Sequence, residues 1–228
     1  MRALFSHRRW LAGFLVGIGG WVLYVAALRF APLSLVQAVS AGGIGLLALL
    51  ADRPLPVRER TGVAVALAGL ALLAISLAGG SSSGRQPPWT HVAAWIALSV
   101  AAAAIAAGPA SRALAAGAGL GLAAGILYAA GDVGTKAAVA GGGRLGFVPA
   151  FLACHGLAFV ALQLGFQRGG VLATAGVATL LTNAVPIAAG VLLFHEHLPG
   201  GGLGVLRAVA FAAVVTGAAL LAISFRRA

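Results

Sequence analysis

Eight long apolar segments, separated by short breaks rich in glycine, proline and arginine, dominate the hydrophobicity pattern of this chain. Each is close to the length of about 20 residues that an α-helix, rising about 1.5 Å per residue, needs to cross a bilayer. The segments lie near residues 10–28, 33–51, 61–79, 91–108, 114–138, 146–166, 171–194 and 205–224. The pattern predicts an all-α fold: a polytopic membrane helix bundle of about eight transmembrane helices, forming a single integral membrane domain over residues 1–228.

Composition favours a lipid bilayer as the surroundings of these helices. Of the 228 residues, 61% are hydrophobic and 8% are charged, and the mean hydropathy is +1.04. An ordinary soluble domain carries far more charge. The net charge of +11 does not indicate nucleic-acid binding, because the basic residues stand in small groups between apolar blocks and form no basic face. Cys154 is the only cysteine, which excludes an intrachain disulfide.

The basic residues also orient the predicted bundle. With eight spans, both chain ends lie on the same side of the membrane. That side carries Arg2, Arg8, Arg9, Arg53, Arg58, Arg60, Arg112, Arg168, Arg226 and Arg227. The other side carries Arg29, Arg85, Arg144 and Arg207, and Lys136 lies near it. Because Lys and Arg prefer short cytoplasmic loops, we expect a protein of the cell's inner (plasma) membrane with both termini in the cytoplasm.

An internal repeat organises the segments. The sequence AGLALLAIS at residues 68–76 returns as TGAALLAIS at residues 216–224, and each copy closes the second of two consecutive apolar segments. The preceding segments, 10–28 and 146–166, match more weakly. They are the first and the sixth spans and therefore cross in opposite directions, which predicts an inverted repeat of the kind that builds a central site in many transporters. The incomplete first repeat then covers residues 10–79, residues 91–108 form a linker helix, and the second repeat covers residues 114–225.

Two short motifs resemble the drug/metabolite transporter superfamily. The stretch WVLYVAALRFAPLSLVQ at residues 21–37 resembles its A-L-x-x-x-P-x-x-x-V-x-P motif, and LLFHEHL at residues 192–198 is similar to its l-f-g-E-x-l helix ending. Glycine-rich spans and the lone lysine of Thr135-Lys136 resemble the EamA-like and NIPA-type magnesium-transporter-like branches. Ser40 replaces the usual proline of the first repeat, and the expected first helix is absent. A misplaced start, a truncated chain and a homodimer that supplies the missing wall are the alternatives.

Asp132 and Lys136 are the first candidates for a site. They lie four residues apart on one face of the fifth segment, with the acid first, which is the favourable order for an ion pair. Charged groups within hydrocarbon are costly, so we interpret the pair as lining a transport path. The alternative is that Lys136 extends to the membrane interface and Asp132 only neutralises it.

Polar groups at equivalent places in the two repeats form the second set of candidates. Pro186 clashes with the carbonyl four residues back, so the Thr182 oxygen and the Asn183 amide can face a cavity. Gln37 and Ser40 occupy the corresponding places in the first repeat. We expect these four residues to meet in a substrate site between the halves, although hydrogen bonds between neighbouring helices are the simpler interpretation of the two amides.

His155 and Tyr128 complete the substrate-binding candidates. His155 lies midway along its segment and can take up a proton in a proton-coupled cycle, because an unperturbed histidine titrates near neutral pH. A buried histidine satisfied by its neighbours is the alternative. His195-Glu196-His197 resembles a metal triplet only superficially, since adjacent residues at a helix end rarely converge on one ion. We expect no metal, no cofactor and no enzymatic activity.

These features predict a secondary transporter that moves a small organic metabolite or drug by alternating access. A Mg²⁺ permease of the NIPA-like type is one alternative, although Mg²⁺ prefers carboxylate ligands and the chain has only four acidic residues. A membrane assembly partner that transports nothing, or a truncated transporter, is the other.

The orientation can be tested by cysteine labelling. Cysteines placed at positions 4 and 228, in a chain with Cys154 replaced, should react with a membrane-impermeant reagent only after the cells are permeabilised. Labelling of either position in intact cells would contradict the eight-span topology.

Overall fold

The computed structural model describes residues 8–49, 57–76, 84–114, 116–169, 171–197 and 200–224. Its described part contains eight α-helices and two 3₁₀ turns, Pro109–Ala113 and Gly142–Phe147, and no strand. The helices are α1 (Arg8–Phe30), α2 (Leu33–Leu49), α3 (Val57–Ser76), α4 (Trp89–Ala107), α5 (Ala118–Ala138), α6 (Val148–Arg168), α7 (Val171–Leu192) and α8 (Gly201–Ser224). The predicted all-α fold class is confirmed, and each predicted apolar segment overlaps one helix.

Within the described residues, four helical stretches are long and apolar enough to cross a membrane. They are Leu11–Phe30, Trp89–Arg112, Ala118–Ala138 and Gly142–Arg168. The apolar parts of three others are shorter: Arg60–Leu73, Val177–Leu192 and Gly201–Gly217. The fold is therefore compatible with a membrane protein, and the number of eight spans stays a prediction. Residues 1–7 and 225–228, which carry both labelling positions, lie outside the described residues, as do residues 50–56 and 77–83.

Helix α5 is the central helix of the bundle and is buried along most of its length. Helices α4, α6 and α7 pack around it, and α1 touches it near its C-terminal end. Small residues allow this: a Cβ added at Gly125 would lie 2.7 Å from the Leu181 Cβ. Lipid tails are as apolar as leucine, so helices in a bilayer associate by close packing of this kind.

Helices α3 and α8 pack against each other through glycines that occupy the same position in the two copies of the repeat. A Cβ on Gly69 would lie 2.8 Å from Val214, and a Cβ on Gly217 would lie 2.8 Å from the Ala66 Cβ. Positions 66 and 69 correspond to 214 and 217 in the second copy. The contact is therefore reciprocal. Gly69 meets Val214, three positions before Gly217, and Gly217 meets Ala66, three positions before Gly69.

Contacts at the helix ends give the directions of the helices. Lys136, in the last turn of α5, reaches the carbonyl of Leu28 at the end of α1, and Glu196, just after α7, contacts the first residue of α2. We call this end of the bundle, where the α1–α2 turn lies, the turn end. At the opposite end, Thr174 of α7 donates to the Gly165 carbonyl of α6. Helices α1, α5 and α7 thus run towards the turn end, and α2 and α6 run away from it.

The α3–α8 contact makes a testable prediction about stability. Gly217→Ala should lower the free energy of unfolding by about 1–3 kcal/mol, because the new methyl group would overlap the backbone of α3. Gly17→Ala on α1 is the matched control, since nothing lies within 4 Å of a Cβ placed there. Thermal unfolding of both variants in detergent measures the difference. Equal melting temperatures would show that the two helices are not in close contact.

Candidate functional site

A buried carboxylate on α5 joins polar side chains from three other helices. Asp132 is 5% exposed, and its Oδ2 accepts a hydrogen bond of 2.7 Å from Nε2 of Gln37 on α2. The same Gln37 nitrogen donates to the hydroxyl of Tyr24 on α1, at 2.6 Å. On the other side, the Oδ1 of Asp132 lies 3.5 Å from Nε2 of His155 on α6. We call Tyr24, Gln37, Asp132 and His155 the Asp132 cluster.

The chemistry of the carboxylate fixes the orientation of Gln37. An ionised carboxylate has only acceptor atoms, so the amide nitrogen of Gln37 must face it. Both hydrogens of that nitrogen are then used, one on Asp132 and one on Tyr24. Gln37 of α2, in the first half of the chain, thereby binds an acid from the second half.

His155 is held by its own helix and by aromatic rings. Its Nδ1 lies 2.9 Å from the carbonyl oxygen of Phe151, one turn earlier in α6. The imidazole meets the ring of Tyr128 at a centroid distance of 5.8 Å and that of Trp21 at 6.0 Å, both edge-on. Gly131 of α5 makes room for the imidazole, because a Cβ there would collide with it. The ring therefore faces Asp132 from a defined direction.

Opposite charges hold the α1–α2 turn at the turn end. The buried ammonium group of Lys136 donates to the carbonyls of Leu28 and Ala31, at 2.8 and 2.6 Å. The buried carboxylate of Glu196 accepts from the backbone N–H groups of Leu33 and Ser34, at 2.5 and 3.0 Å. A helix presents unpaired carbonyls at its C-terminus and unpaired N–H groups at its N-terminus, so each charge meets the end that it stabilises.

A cavity of about 300 Å³ lies between α5, α6 and α7, on the side of the Asp132 cluster that faces away from the turn end. Its lining consists of Tyr128, Leu162, Ala175, Ala178, Thr179, Thr182 and Asn183. We call it the α7 cavity. Asn183 donates one N–H to the Thr179 carbonyl of its own helix, at 2.7 Å. Tyr128 belongs to the cavity wall and also touches His155, so it connects the cavity to the cluster.

The structure separates two pairs that the sequence suggested would act together. Asp132 and Lys136 do not form an ion pair: the acid meets Gln37 and His155, and the ammonium group meets backbone carbonyls. Lys136 is only 3% exposed, so it does not extend to the surface of the bundle either. A spacing of four residues on one helix face did not make Asp132 and Lys136 a pair, because each group lies closer to polar partners on other helices.

The amides of the two repeats also lie in different places. Thr182 and Asn183 line the α7 cavity, whereas Gln37 belongs to the Asp132 cluster. Ser40 donates to the Val36 carbonyl and lines a separate cavity of about 360 Å³ between α1 and α2. The single four-residue site that we expected from the repeat is thus divided between these places.

Two residues have a larger part than the sequence suggested. Packing alone would explain Tyr24, a tyrosine within an apolar segment, but its hydroxyl accepts a hydrogen bond from Gln37. Glu196 appeared in the sequence as the acid of the l-f-g-E-x-l motif and between two histidines, without a role of its own. In the structure it caps α2, while His195 and His197 are exposed. Among the residues that the structure describes, no group of three His, Cys, Asp or Glu side chains is placed to hold a metal ion. The chain has only four acidic residues, so the presence of Glu196 beside an apolar helix was the feature of the sequence that could have indicated its role.

Comparisons with protein-family models, with curated proteins and with solved structures found no match to this chain. The geometry of the site is therefore the basis for the function proposed below.

The cap on α2 yields a prediction about stability. Glu196→Ala should lower the free energy of unfolding by about 2 kcal/mol, because two buried backbone N–H groups lose a charged acceptor. His197→Ala, at an exposed neighbour in the same loop, should change it by less than about 0.5 kcal/mol. Thermal unfolding in the presence and absence of a chelator measures both effects. Equal losses for the two variants, or a loss that appears only without chelator, would instead indicate a metal site.

Proposed function

We propose that this chain is a secondary transporter of a small organic molecule, working by alternating access between two inverted halves in the plasma membrane. The observation that carries the proposal is the contact of the α7 cavity with the Asp132 cluster through Tyr128. Transporters of this architecture place their sites near the bilayer midplane, where their repeats meet. Helices α1 and α2 of the first repeat and α5 and α6 of the second all contribute to this cluster.

The reciprocal α3–α8 contact supports the inverted arrangement of the halves. A two-fold axis that exchanges the repeats would carry the contact between Gly69 and Val214 onto the contact between Gly217 and Ala66. Such an axis lies in the membrane plane when the related helices cross in opposite directions. The resemblance of the two sequence motifs to the drug/metabolite transporter superfamily, in its EamA-like and NIPA-type branches, leads to the same proposal.

The α7 cavity favours a small and largely apolar solute. Ligand pockets in proteins have volumes of about 300–1,000 Å³, and this cavity, at about 300 Å³, is among the smallest. Most of its lining is aliphatic or aromatic, with Thr179, Thr182 and Asn183 as the polar exceptions. Asn183 uses one N–H within α7, which leaves its other N–H and its oxygen for a solute. We infer an uncharged metabolite with one or two hydrogen-bonding groups.

The two ends of the bundle differ in a way that alternating access requires. Lys136 and Glu196 hold the α1–α2 turn closed at the turn end. The α7 cavity extends from Asn183 towards Ala175, in the direction of the opposite end. With both termini in the cytoplasm, the turn end faces outwards and the cavity faces the cytoplasm. We interpret this arrangement as the inward-facing state of the cycle.

Mg²⁺ transport is less favoured by the surroundings of Asp132. Mg²⁺ takes oxygen ligands and keeps several of its waters. Asp132 instead faces the amide nitrogen of Gln37 and the ring nitrogen of His155. A Mg²⁺-dependent strain that carries Asp132→Asn, which removes this carboxylate, should therefore grow as well as the same strain carrying the parent chain. Loss of Mg²⁺-dependent growth rescue in that variant would favour the permease.

Filling the α7 cavity tests the proposal directly. Ala175→Phe should abolish uptake into proteoliposomes, because its ring would occupy the cavity, while Ala153→Phe on an exposed face of α6 should not. Asn183→Ala should raise KM about fivefold, the effect of losing one hydrogen bond of about 1 kcal/mol. Radiolabelled uncharged solutes with one or two hydrogen-bonding groups, such as alcohols, primary amides and phenols, provide the solute panel.

Equal amounts of folded protein, checked by size-exclusion chromatography, are required of all three variants. The proposal fails if the parent moves none of the panel solutes, or if Ala175→Phe transports them as well as Ala153→Phe does. A folded chain that moves nothing would favour the assembly-partner alternative.

A further inference from the structure

The Asp132 cluster contains two groups that cannot both be satisfied without an extra proton. The Nδ1 of His155 faces the carbonyl oxygen of Phe151, and its Nε2 faces the Oδ1 of Asp132. Both partners are acceptors when the acid is ionised. A neutral imidazole has one N–H and one lone pair, so either tautomer directs a lone pair at an acceptor oxygen.

One added proton removes this conflict. An imidazolium ring donates from both nitrogens, to Phe151 and to the Asp132 carboxylate. Alternatively, Asp132 carries the proton as a carboxylic acid and donates to Nε2, while Nδ1–H donates to Phe151. In either form the pair is neutral overall. Loss of the proton to water leaves a net charge of −1 in a buried place. It also leaves an imidazole lone pair facing an acceptor oxygen, at 3.5 Å from Asp132 or at 2.9 Å from Phe151 depending on the tautomer, which is unfavourable unless the helices rearrange.

The other titratable groups near Asp132 and His155 do not provide the proton that this pair shares. Lys136, one turn further along α5, uses its ammonium group on the carbonyls of Leu28 and Ala31. Helix α1 presents the Tyr24 hydroxyl, which accepts a hydrogen bond from Gln37, the residue that also donates to Asp132. A tyrosine hydroxyl keeps its proton near neutral pH, so it can offer the pair a hydrogen bond but not an exchangeable proton. Tyr128 of α5 meets the imidazole edge-on, Cys154 of α6 lies in the apolar core, and His91 of α4 is exposed. The arginines of α1 and α6 lie at or near the ends of those helices: Arg8, Arg9, Arg29 and Arg168. The described helix α7 has none.

We propose that Asp132 and His155 together form a binding site for one exchangeable proton, and that this proton is the coupling ion of the transport cycle. The role in coupling rests on the proposed transport function. Tyr128 provides the mechanical connection, since it touches the imidazole and lines the α7 cavity. Loss of the proton moves the imidazole away from the carboxylate, and Tyr128 transmits that movement to the wall of the cavity. Binding of the solute and of the proton thus influence each other through one side chain.

The proton site can be tested without knowing the solute. The chain has only two aspartates, Asp52 and Asp132, so aspartate labelled with ¹³C at the side-chain carboxyl gives two signals, which Asp52→Asn assigns. The labelled protein in lipid nanodiscs is titrated with acid and base, and NMR follows the Asp132 carboxyl and the ¹⁵N-labelled ring of His155. The proton itself is the probe.

Two groups that share one proton titrate as a pair. We expect His155→Gln to shift the Asp132 titration by about one pH unit or more, and Asp132→Asn to shift that of His155 by a similar amount. Gly131→Ala, which pushes the imidazole away from α5, should weaken this coupling. Gly156→Ala is its control, because a Cβ at that α6 position meets nothing within 4 Å. If each group titrates identically with and without the other, the proposal is wrong.

Transport measurements then separate the two proposals. For a panel solute that the parent moves, Asp132→Asn should lose the acceleration of uptake by an imposed pH gradient, whereas the control Asp52→Asn should retain it. Retained acceleration by the pH gradient would overturn the coupling role. A coupled titration in a protein that moves no panel solute would contradict the transport function and leave the proton site in place.

Discussion

The burial of one carboxylate organises the centre of this bundle. An ionised acid in an apolar interior is tolerated only with close partners, and Asp132 obtains them from α2 and α6. Because Gln37 must direct its amide nitrogen at this acid, its second hydrogen is available to Tyr24, and α1 becomes part of the same arrangement. A single acid on α5 thus brings together helices from both halves of the chain.

At the turn end, buried charges also have close polar partners, but these partners are backbone groups and not side chains. A helix leaves unpaired polar atoms at both ends, and in a bilayer no water is present to satisfy those that are buried. Lys136 and Glu196 serve the last turn of α1 and the first turn of α2. Both charges come from the second half of the chain, and the turn comes from the first. Opening this end requires that buried charges leave their partners, so we infer that it opens only when other interactions compensate for that loss.

Much of the fold could be predicted from the sequence, because the length and spacing of apolar segments depend on local composition alone. The eight helices are of this kind. The partners of the polar groups were less predictable. Lys136 binds two backbone carbonyls, and carbonyls occur at every residue, so no sequence pattern marks Leu28 or Ala31. Likewise, the contact between Gln37 and Asp132 joins residues 95 positions apart, and it depends on how α2 and α5 pack.

The reciprocal contact of Gly69 and Gly217 has the form of an isologous interface, in which two copies of one surface bind each other. In a dimer of identical subunits, every substitution appears twice, so both sides of such an interface change together. Joining the copies in one chain removes that restriction, and each half can then acquire residues that the other lacks. Asp132 and His155 both lie in the second half, and Gln37 and Tyr24 both lie in the first. The reciprocal α3–α8 contact therefore occurs beside an asymmetric set of polar groups. Two identical subunits that meet on a two-fold axis would present each of those groups twice.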